Sequence, residues 1–231
     1  MNCVVIVGTE IKGCTYNLKN IFLEELNLTK TTEFYLPKDG PSYCIGCKRC
    51  FLESADKCPH YNKVEPIWRA MLEADLIVFA YPVYALRCPG QVKSLLDHLG
   101  VYWFAHRPNP VMFNKTAAII TQSAGAPNGA AQIDVKTSLE WMGVSKVERI
   151  GFSMGGSDWD EISEDKKKRI EARIRTFAGR FQGELHQNKS LKTKIYFEMC
   201  RKMQKDVLKK LDGDKPSVDL QYWIDNGWVR E

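Results

Sequence analysis

The feature of this sequence that most constrains its fold is a series of short, continuous apolar runs separated by stretches with helical periodicity. The clearest runs cover residues 3–7, 76–80 and 116–121, and they are rich in valine, isoleucine and alanine without polar alternation. A strand buried on both faces of a parallel sheet has this pattern, because helices cover both faces of such a sheet. Shorter runs at residues 33–36 and 147–152 complete a set of five predicted strands.

Amphipathic segments lie between these strands. Apolar residues recur at helical spacing over residues 18–28, 64–72 and 130–142, and Pro89 is suited to the first turn of a further helix. Strands that alternate with helices predict a doubly wound α/β domain with a parallel sheet and right-handed crossovers.

The end of the chain exceeds what five strand–helix units need. Charged amphipathic helices are predicted at residues 161–185 and 191–211, and an aromatic segment with Tyr222, Trp223 and Trp228 follows. We therefore expect a domain of residues 1–187 and a helical C-terminal extension of residues 188–231. Because large aromatic side chains need cover, the extension is expected to pack on the domain or on a partner subunit.

Composition and charge narrow the class of function. The 231 residues are 44% hydrophobic, and 33 basic against 28 acidic residues leave a net charge of +5. This excess is too small to indicate a nucleic-acid partner. No apolar stretch approaches the roughly 18 residues of a membrane-spanning helix, and the N-terminus lacks the basic region of a secretory signal. We expect a cytoplasmic protein with no membrane partner.

Three loops follow predicted strands at the edge where open parallel sheets bind ligands. The loop after the first strand leads from Gly8 into a helix N-terminus, where free N–H groups and the helix dipole attract phosphate, although Thr15 is also suited simply to cap that helix. The loop lacks the glycine patterns of dinucleotide sites and P-loops. The loop after the third strand carries prolines that favour a rigid, extended wall for a flat ring, and the loop after the fourth is small and polar.

Taken together, these segments resemble the flavodoxin-like NAD(P)H-dependent FMN reductases. The resemblance rests on the hydroxyl-rich first loop, on Tyr-Pro-Val-Tyr at residues 81–84 with residues 89–97, and on the glycine-containing fourth loop. It covers roughly residues 1–155 and implies a flavodoxin-like five-stranded sheet of order 2-1-3-4-5. It also implies non-covalently bound FMN, NAD(P)H as cosubstrate, and a homodimer or higher homo-oligomer.

The same resemblance implies the residues that contact FMN. The phosphate is expected at Thr9, Lys12, Gly13, Thr15 and Tyr16, the isoalloxazine ring at Pro82, Val83, Tyr84 and Ala85, and its other side at Thr121, Gln122, Ser123 and Gly125. The first loop departs from the family pattern, because Thr9-Glu10-Ile11 stands where many relatives carry Ser-x-Arg. That change removes a guanidinium from the phosphate site and leaves Lys12 to compensate.

Four of the eight cysteines lie in the long segment after the second strand: Cys44, Cys47, Cys50 and Cys58. Their spacing, C-x2-C-x2-C-x7-C-P, is close to that of bacterial ferredoxins, and it resembles the iron-sulfur flavoprotein branch of the same family. Three interpretations stay open at this point, namely a 4Fe-4S cluster, a structural zinc ion, and thiols without metal.

The predicted function is that of an FMN-dependent oxidoreductase. It would reduce a small-molecule acceptor (a quinone, a nitroaromatic or a flavin) with NAD(P)H, with or without passage through a cysteine-bound cluster. The alternative is a flavin and iron-sulfur electron carrier without a small substrate, and a third is a sensor or structural subunit whose extension binds a partner. No side chain is assigned as catalytic, because the cofactor carries the chemistry.

Overall fold

The computed structural model describes residues 1–156, 158–183, 189–211 and 215–230. Its sheet has five strands, β1 (Asn2–Val7), β2 (Lys30–Tyr35), β3 (Leu76–Pro82), β4 (Thr116–Ser123) and β5 (Lys146–Ser153). The order is β2-β1-β3-β4-β5, and every neighbouring pair is parallel. This confirms the predicted flavodoxin-like sheet. The order reverses between β1 and β3, so their carboxyl ends form the crevice in which such sheets bind ligands.

Eight α-helices surround or follow the sheet in the described part of the chain. They are α1 (Cys14–Glu24), α2 (Arg49–Leu52), α3 (Tyr61–Glu73), α4 (Gly90–Leu99), α5 (Gly129–Trp141), α6 (Glu164–Ala178), α7 (Leu191–Lys209) and α8 (Val218–Asp225). None of the helices in the described ranges is long and apolar enough to cross a membrane.

The interior strand β1 separates two hydrophobic cores. Val4 and Ile6 face a core that includes α3, α4 and α5, whereas Val5 and Val7 face a core that includes α1 and α6. All four side chains are fully buried, which explains why this strand is apolar at every position. Burying each such side chain stabilises the fold by about 1.5–3 kcal/mol.

The C-terminal helices α7 and α8 pack on the same side of the sheet as α5. Trp223 is completely buried there, and its indole Nε1 donates a hydrogen bond to the carbonyl oxygen of His106 at 2.7 Å. Tyr222 donates from its hydroxyl to the carbonyl of Pro108 at 2.8 Å, and Cys200 of α7 is buried. Contact of the extension with a partner subunit stays a prediction. The predicted division at residue 187 lies outside the described residues and stays a prediction as well.

Two predicted helices differ in length from the observed ones. Helix α1 spans Cys14–Glu24 rather than residues 18–28, because Leu26 already belongs to the turn that leads into β2 and is buried from there. Helix α6 spans Glu164–Ala178 rather than residues 161–185, because Ser163 has extended backbone angles and a 3-10 turn follows Ala178. Residues 184 and 185 of that prediction lie outside the described residues.

Candidate functional site

The loop after β1 is held tightly against β3 and α4. A Cβ atom built on Gly8 would lie 2.5 Å from Tyr81 Cβ and 2.6 Å from Val92 Cγ2, so only glycine fits at this close approach. The Gly8 N–H donates to the carbonyl of Ala80 at 2.8 Å, and Gln91 donates from Nε2 to the Gly8 carbonyl at 2.8 Å. The loop therefore leaves the sheet edge from a fixed position. Gln91 was not among the predicted site residues.

The loop ends at the N-terminus of α1. Gly13 is the N-cap residue and has no side chain to cap the helix, and within the described part of the chain no acceptor takes the backbone N–H of Thr15 or Tyr16. Thr15 lies inside the helix, so it does not cap it. Thr9 and Thr15 are nearly buried, and the Lys12 ammonium lies 5.6 Å from the centre of the Tyr16 ring. Free N–H groups at the positive end of the helix dipole form a site for an anion.

A carboxylate that sequence reasoning missed lies beside this helix end. Asp158, in the loop after β5, places its Oδ1 atom 3.6 Å from a Cβ built on Gly13. Burial and, next, the negative charge of Asp158 raise the pKa of the Cys14 thiol, with a smaller contribution from Glu161. A phosphate at α1 therefore meets a nearby negative charge as well as Lys12 and the helix dipole. The sequence offers no signal for Asp158, because its proximity depends on the path of a distant loop.

The loop after β3 is a tight turn rather than the extended wall that its prolines favour. Tyr84 and Arg87 exchange backbone hydrogen bonds of 3.1 and 2.9 Å, which close a two-residue turn. Its central residues, Ala85 and Leu86, have φ angles of +47° and +64°, a region that side-chain-bearing residues rarely adopt. Tyr84 and Leu86 are more than half exposed. Backbone strain of this kind concentrates at functional sites.

The loops after β3, β4 and β1 are connected directly. Pro82 and Gln122 are paired in the register of β3 and β4, and the Val83 N–H donates to the Gln122 carbonyl at 2.7 Å. The Gln122 side chain reaches the other way, with its Nε2 atom 3.4 Å from Thr15 Oγ1 of α1. The structure thus brings the three predicted loops to one edge of the sheet. Their contact with FMN stays a prediction.

The residues predicted on the β4 loop differ in their surroundings. The fully buried Thr121 accepts a hydrogen bond from Gln132 of α5 at 2.8 Å, so its hydroxyl is engaged in the interior. Ser123 donates to the carbonyl of Ala126 at 2.5 Å, which shapes the loop itself. Gly125 is exposed at the edge. Gln122 and the loop backbone are therefore the groups best placed to meet a ligand.

The four clustered cysteines are not assembled into a closed metal site. Cys44 and Cys47 are exposed, and Cys50 and Cys58 are half-buried. Within the described ranges, no three histidine, cysteine or acidic residues lie close enough to hold a metal ion. The cysteines nevertheless share one neighbourhood, because the pKa of Cys50 is raised first by burial and then by the charges of Cys58, Cys44 and Cys47. The donor set has the chemistry of an iron-sulfur or zinc site, but the sulfur positions do not form one here.

A histidine from α4 adjoins the cysteine segment. Cys58 Sγ lies 3.6 Å from His98 Nδ1, and the other ring nitrogen of His98 lies 2.9 Å from the Ser42 carbonyl oxygen. His60 packs its ring against that of His98, with 5.1 Å between the centres. Burial lowers the pKa of His98. Sequence reasoning missed His98, because a histidine 40 residues from the nearest clustered cysteine carries no local signal.

Arg107 joins the cysteine segment to the C-terminal extension. Its guanidinium donates to the Cys50 carbonyl, and its Nε atom lies 3.1 Å from Asp219 Oδ1 of α8, an ion pair without hydrogen-bond geometry. The other oxygen of Asp219 lies 2.7 Å from His106 Nδ1, and the His106 ring packs against Phe51. The extension therefore supports the backbone around Cys50, a contact that the sequence did not predict.

Comparison with known proteins is consistent with this geometry. A family model described as NADPH-dependent FMN reductase matches residues 1–158. An iron-sulfur flavoprotein of Methanosarcina thermophila is 26% identical over 71% of this chain and 86% of its own length. A second iron-sulfur flavoprotein, from Archaeoglobus fulgidus, is 21% identical over 99% of this chain and 100% of its own length. The solved NAD(P)H:quinone oxidoreductase of Methanothermobacter marburgensis has a TM-score of 0.61 at 14% identity, over 80% of this chain and 99% of that one.

Proposed function

Because this chain belongs to the NADPH-dependent FMN reductase family and is a flavin oxidoreductase, we propose that it binds FMN at the carboxyl edge of its sheet and uses NAD(P)H to reduce a small acceptor. The acceptor class that we propose is a quinone, a nitroaromatic or a free flavin. The observation that carries the proposal is the N-terminus of α1, whose N-cap residue is glycine, which lies at the same edge of the sheet as the strained turn after β3 and is joined to the β4 loop through Gln122.

The first loop suits a phosphate monoester. Gly13 carries no side chain over the helix end, the N–H groups of Thr15 and Tyr16 are unpaired among the described residues, and the Lys12 ammonium lies close to the Tyr16 ring. Helix dipole, N–H donors and one ammonium supply the attraction that a missing guanidinium would otherwise provide. The nearby Asp158 opposes it, so we expect weaker FMN binding than a loop with an arginine would give.

The turn after β3 and the β4 loop suit a flat ring. Bound FMN supplies the hydride and electron chemistry of the family. The protein contacts the ring with the backbone of residues 82–85 on one side and with Gln122 on the other. Tyr84 and Leu86 stay exposed, next to the position where NAD(P)H and the acceptor would reach the ring. No side chain is assigned as an acid or base.

The test is FMN titration of the apoprotein with Gly13→Asp. The new carboxylate would cap α1, which stabilises a helix by only about a few tenths of a kcal/mol relative to glycine, while it occupies the phosphate position and repels a phosphate there. We expect the variant to fold and to bind FMN at least about tenfold more weakly, as one lost charge-assisted contact implies. Gly179→Asp is the matched control, because nothing lies within 4 Å of its Cβ position. Equal FMN affinity in the Gly13→Asp variant and the wild type would contradict the proposed phosphate site.

Steady-state kinetics tests the reaction itself. With FMN bound, we expect repeated turnover of NAD(P)H in the presence of a quinone, a nitroaromatic or free flavin. Reduction that stops after one turnover with every small acceptor would contradict the oxidoreductase proposal and would favour the electron carrier.

For the cysteine segment we propose an iron-sulfur cluster held by Cys44, Cys47, Cys50 and Cys58. Their spacing, the mutual effect on the Cys50 pKa and the likeness to two iron-sulfur flavoproteins support it, although the sulfur atoms are not assembled in this structure. Iron and labile sulfide are measured in anaerobically purified protein and in Cys47→Ser, with Cys88→Ala as a control at a buried thiol. We expect the wild type and Cys88→Ala to contain both and Cys47→Ser to lose them. Zinc alone, or no metal in the wild type, would replace the cluster by one of the other two interpretations.

A further inference from the structure

The outer edge of strand β5 is open in the described part of the chain. The strand is last in the sheet order, and among the described strands it pairs with β4 alone. The Met154 N–H donates to the Ser123 carbonyl at 2.8 Å, and alternate residues of a parallel strand face the same neighbour. Ile150 therefore directs its backbone groups to β4, whereas Arg149 and Gly151 direct theirs away from the sheet. Such an edge is a template for pairing with a further strand.

A positively charged groove of about 490 Å³ lies beside this part of the edge, lined by residues 149–151 and by α6 with the turn that follows it. Three arginines contribute to the lining, Arg149, Arg173 and Arg180, and all three are exposed. Arg180 donates to the Glu148 carboxylate at 2.8 Å, whereas Arg149 and Arg173 form no ion pair with any described residue. The groove therefore has guanidinium groups that are free to meet an anion.

The arginines approach the edge from both faces of the sheet. A Cβ atom built on Gly151 would lie 2.6 Å from Asn128 Cβ at the start of α5, so Arg149, two residues earlier on the strand, lies on the same face as α5. Arg173 lies on the other face, because its guanidinium packs 4.8 Å from the centre of the Phe152 ring in the core that includes α6. Positive charge thus flanks the open edge on both sides.

We propose that β5 binds an extended acidic peptide segment of another protein as an additional strand of the sheet. The outward backbone groups of Arg149 and Gly151 bond the peptide main chain, which supplies affinity without regard to sequence. Successive side chains of an added strand point to opposite faces, so acidic residues on one side meet Arg149 and those on the other meet Arg173 and Arg180. Guanidinium groups bind carboxylates with two parallel hydrogen bonds, which favours acidic segments over others.

Other occupants fit the groove less well. A second copy of this chain, paired through its own β5, would bring two positively charged grooves together, and like charges on facing strands destabilise the pair. A phosphate group, free or in a nucleic acid, would attract the arginines but offers only acceptors, so the outward carbonyls of Arg149 and Gly151 would gain no donor. Only an acidic strand uses both the charges and the backbone of the edge.

The first test measures binding of the blocked peptide VEEVEE, which carries acidic side chains on both sides of an extended strand, by the fluorescence anisotropy of an attached dye. We expect saturable binding to the wild-type protein and no binding of VQQVQQ. VEEVEE with every backbone nitrogen methylated keeps its charges but has no N–H donors, so we expect it not to bind. If the wild type does not bind VEEVEE, or binds the methylated peptide equally well, the proposal is overturned. In the first case the arginines serve only to keep the edge from pairing.

The second test locates the peptide in the groove. Arg149→Gln and Arg173→Gln each remove one exposed guanidinium, and circular dichroism checks that the variants fold. We expect each to raise the dissociation constant of VEEVEE by about three- to fivefold, and the double variant by about tenfold or more. Arg69→Gln on α3 is the matched control, because this side chain is 69% exposed and the net charge changes equally. Wild-type affinity in the double variant, or an equal loss in Arg69→Gln, would place the peptide elsewhere and overturn the proposal.

Discussion

A buried lysine next to the first loop allows one prediction to be worked through in detail. Lys19 of α1 is 1% exposed, and its Nζ atom lies 2.7 and 2.8 Å from the two carboxylate oxygens of Glu33 on β2. The same ammonium lies 3.3 Å from the Tyr35 hydroxyl and 4.8 Å from the centre of the Tyr16 ring. The pair thus ties the helix to the edge strand directly below Tyr16. We predict that Lys19→Met destabilises the fold.

The size of the loss follows from burial. Removing one partner of a fully buried ion pair costs about 3–5 kcal/mol, because the other charge stays behind without compensation. The Glu33 side chain is 27% exposed, so water still solvates its carboxylate in part, and the cost of leaving this charge unpaired is smaller than for full burial. We expect Lys19→Met to lower the free energy of unfolding by about 2–3 kcal/mol, with methionine retaining most of the apolar stem. Adding Glu33→Gln removes the uncompensated charge, so the double variant should be more stable than the two single losses predict, by about 1–2 kcal/mol.

Urea unfolding followed by far-UV circular dichroism measures both quantities. At a slope of about 2–3 kcal/mol per molar urea, the Lys19→Met midpoint should fall by about 1 M. Lys30→Met is the matched control, because the Lys30–Glu73 pair is 4.0 Å long with both side chains more than 60% exposed, and its loss should stay within about 0.5 kcal/mol. A Lys19→Met cost as small as the control's, or additive losses in the double variant, would refute the reasoning.

Three further predictions concern single positions. Burial lowers the pKa of Lys115, so the folded chain holds this proton less tightly than the unfolded one, and wild-type stability relative to Lys115→Met should rise with pH towards the ordinary value of 10.5. If the urea midpoints of the wild type and of Lys115→Met change by the same amount as the pH is raised, this prediction is contradicted. Gly143 has a φ angle of +100° and lies against Phe113, so Gly143→Ala should cost about 2–3 kcal/mol, whereas Gly100→Ala, with a helical φ and open space, should stay within about 1 kcal/mol. Equal melting temperatures for Gly143→Ala and Gly100→Ala would contradict the predicted difference in their cost. Leu86→Asn should raise the free energy of unfolding by about 1 kcal/mol, because asparagine tolerates the left-handed φ of +64° that leucine resists, and an unchanged urea midpoint would exclude this strain.

Much of the fold was predictable from local patterns. Fully apolar runs identify strands that are covered on both faces, and their alternation with helices determines a parallel sheet whose carboxyl ends share one edge. The three loops at that edge, the presence of a helix after the first of them, and the amphipathic character of α7 followed from the same reasoning. Helix ends were less accurate, because residues such as Leu26 are buried by the turn that follows the helix and continue its periodicity without belonging to it.

What decides the surroundings of the site is contact between residues that are distant in sequence. The sequence by itself determined the strands, their alternation with helices and the loops at the binding edge, since each of these depends on side-chain periodicity or backbone preference within a short segment. Only the tertiary structure placed Asp158 beside Gly13, His98 beside Cys58, and Arg107 against the carbonyl of Cys50. These contacts depend on strand order and on the paths of loops, and a single charged or polar residue has no periodicity that would reveal its partner.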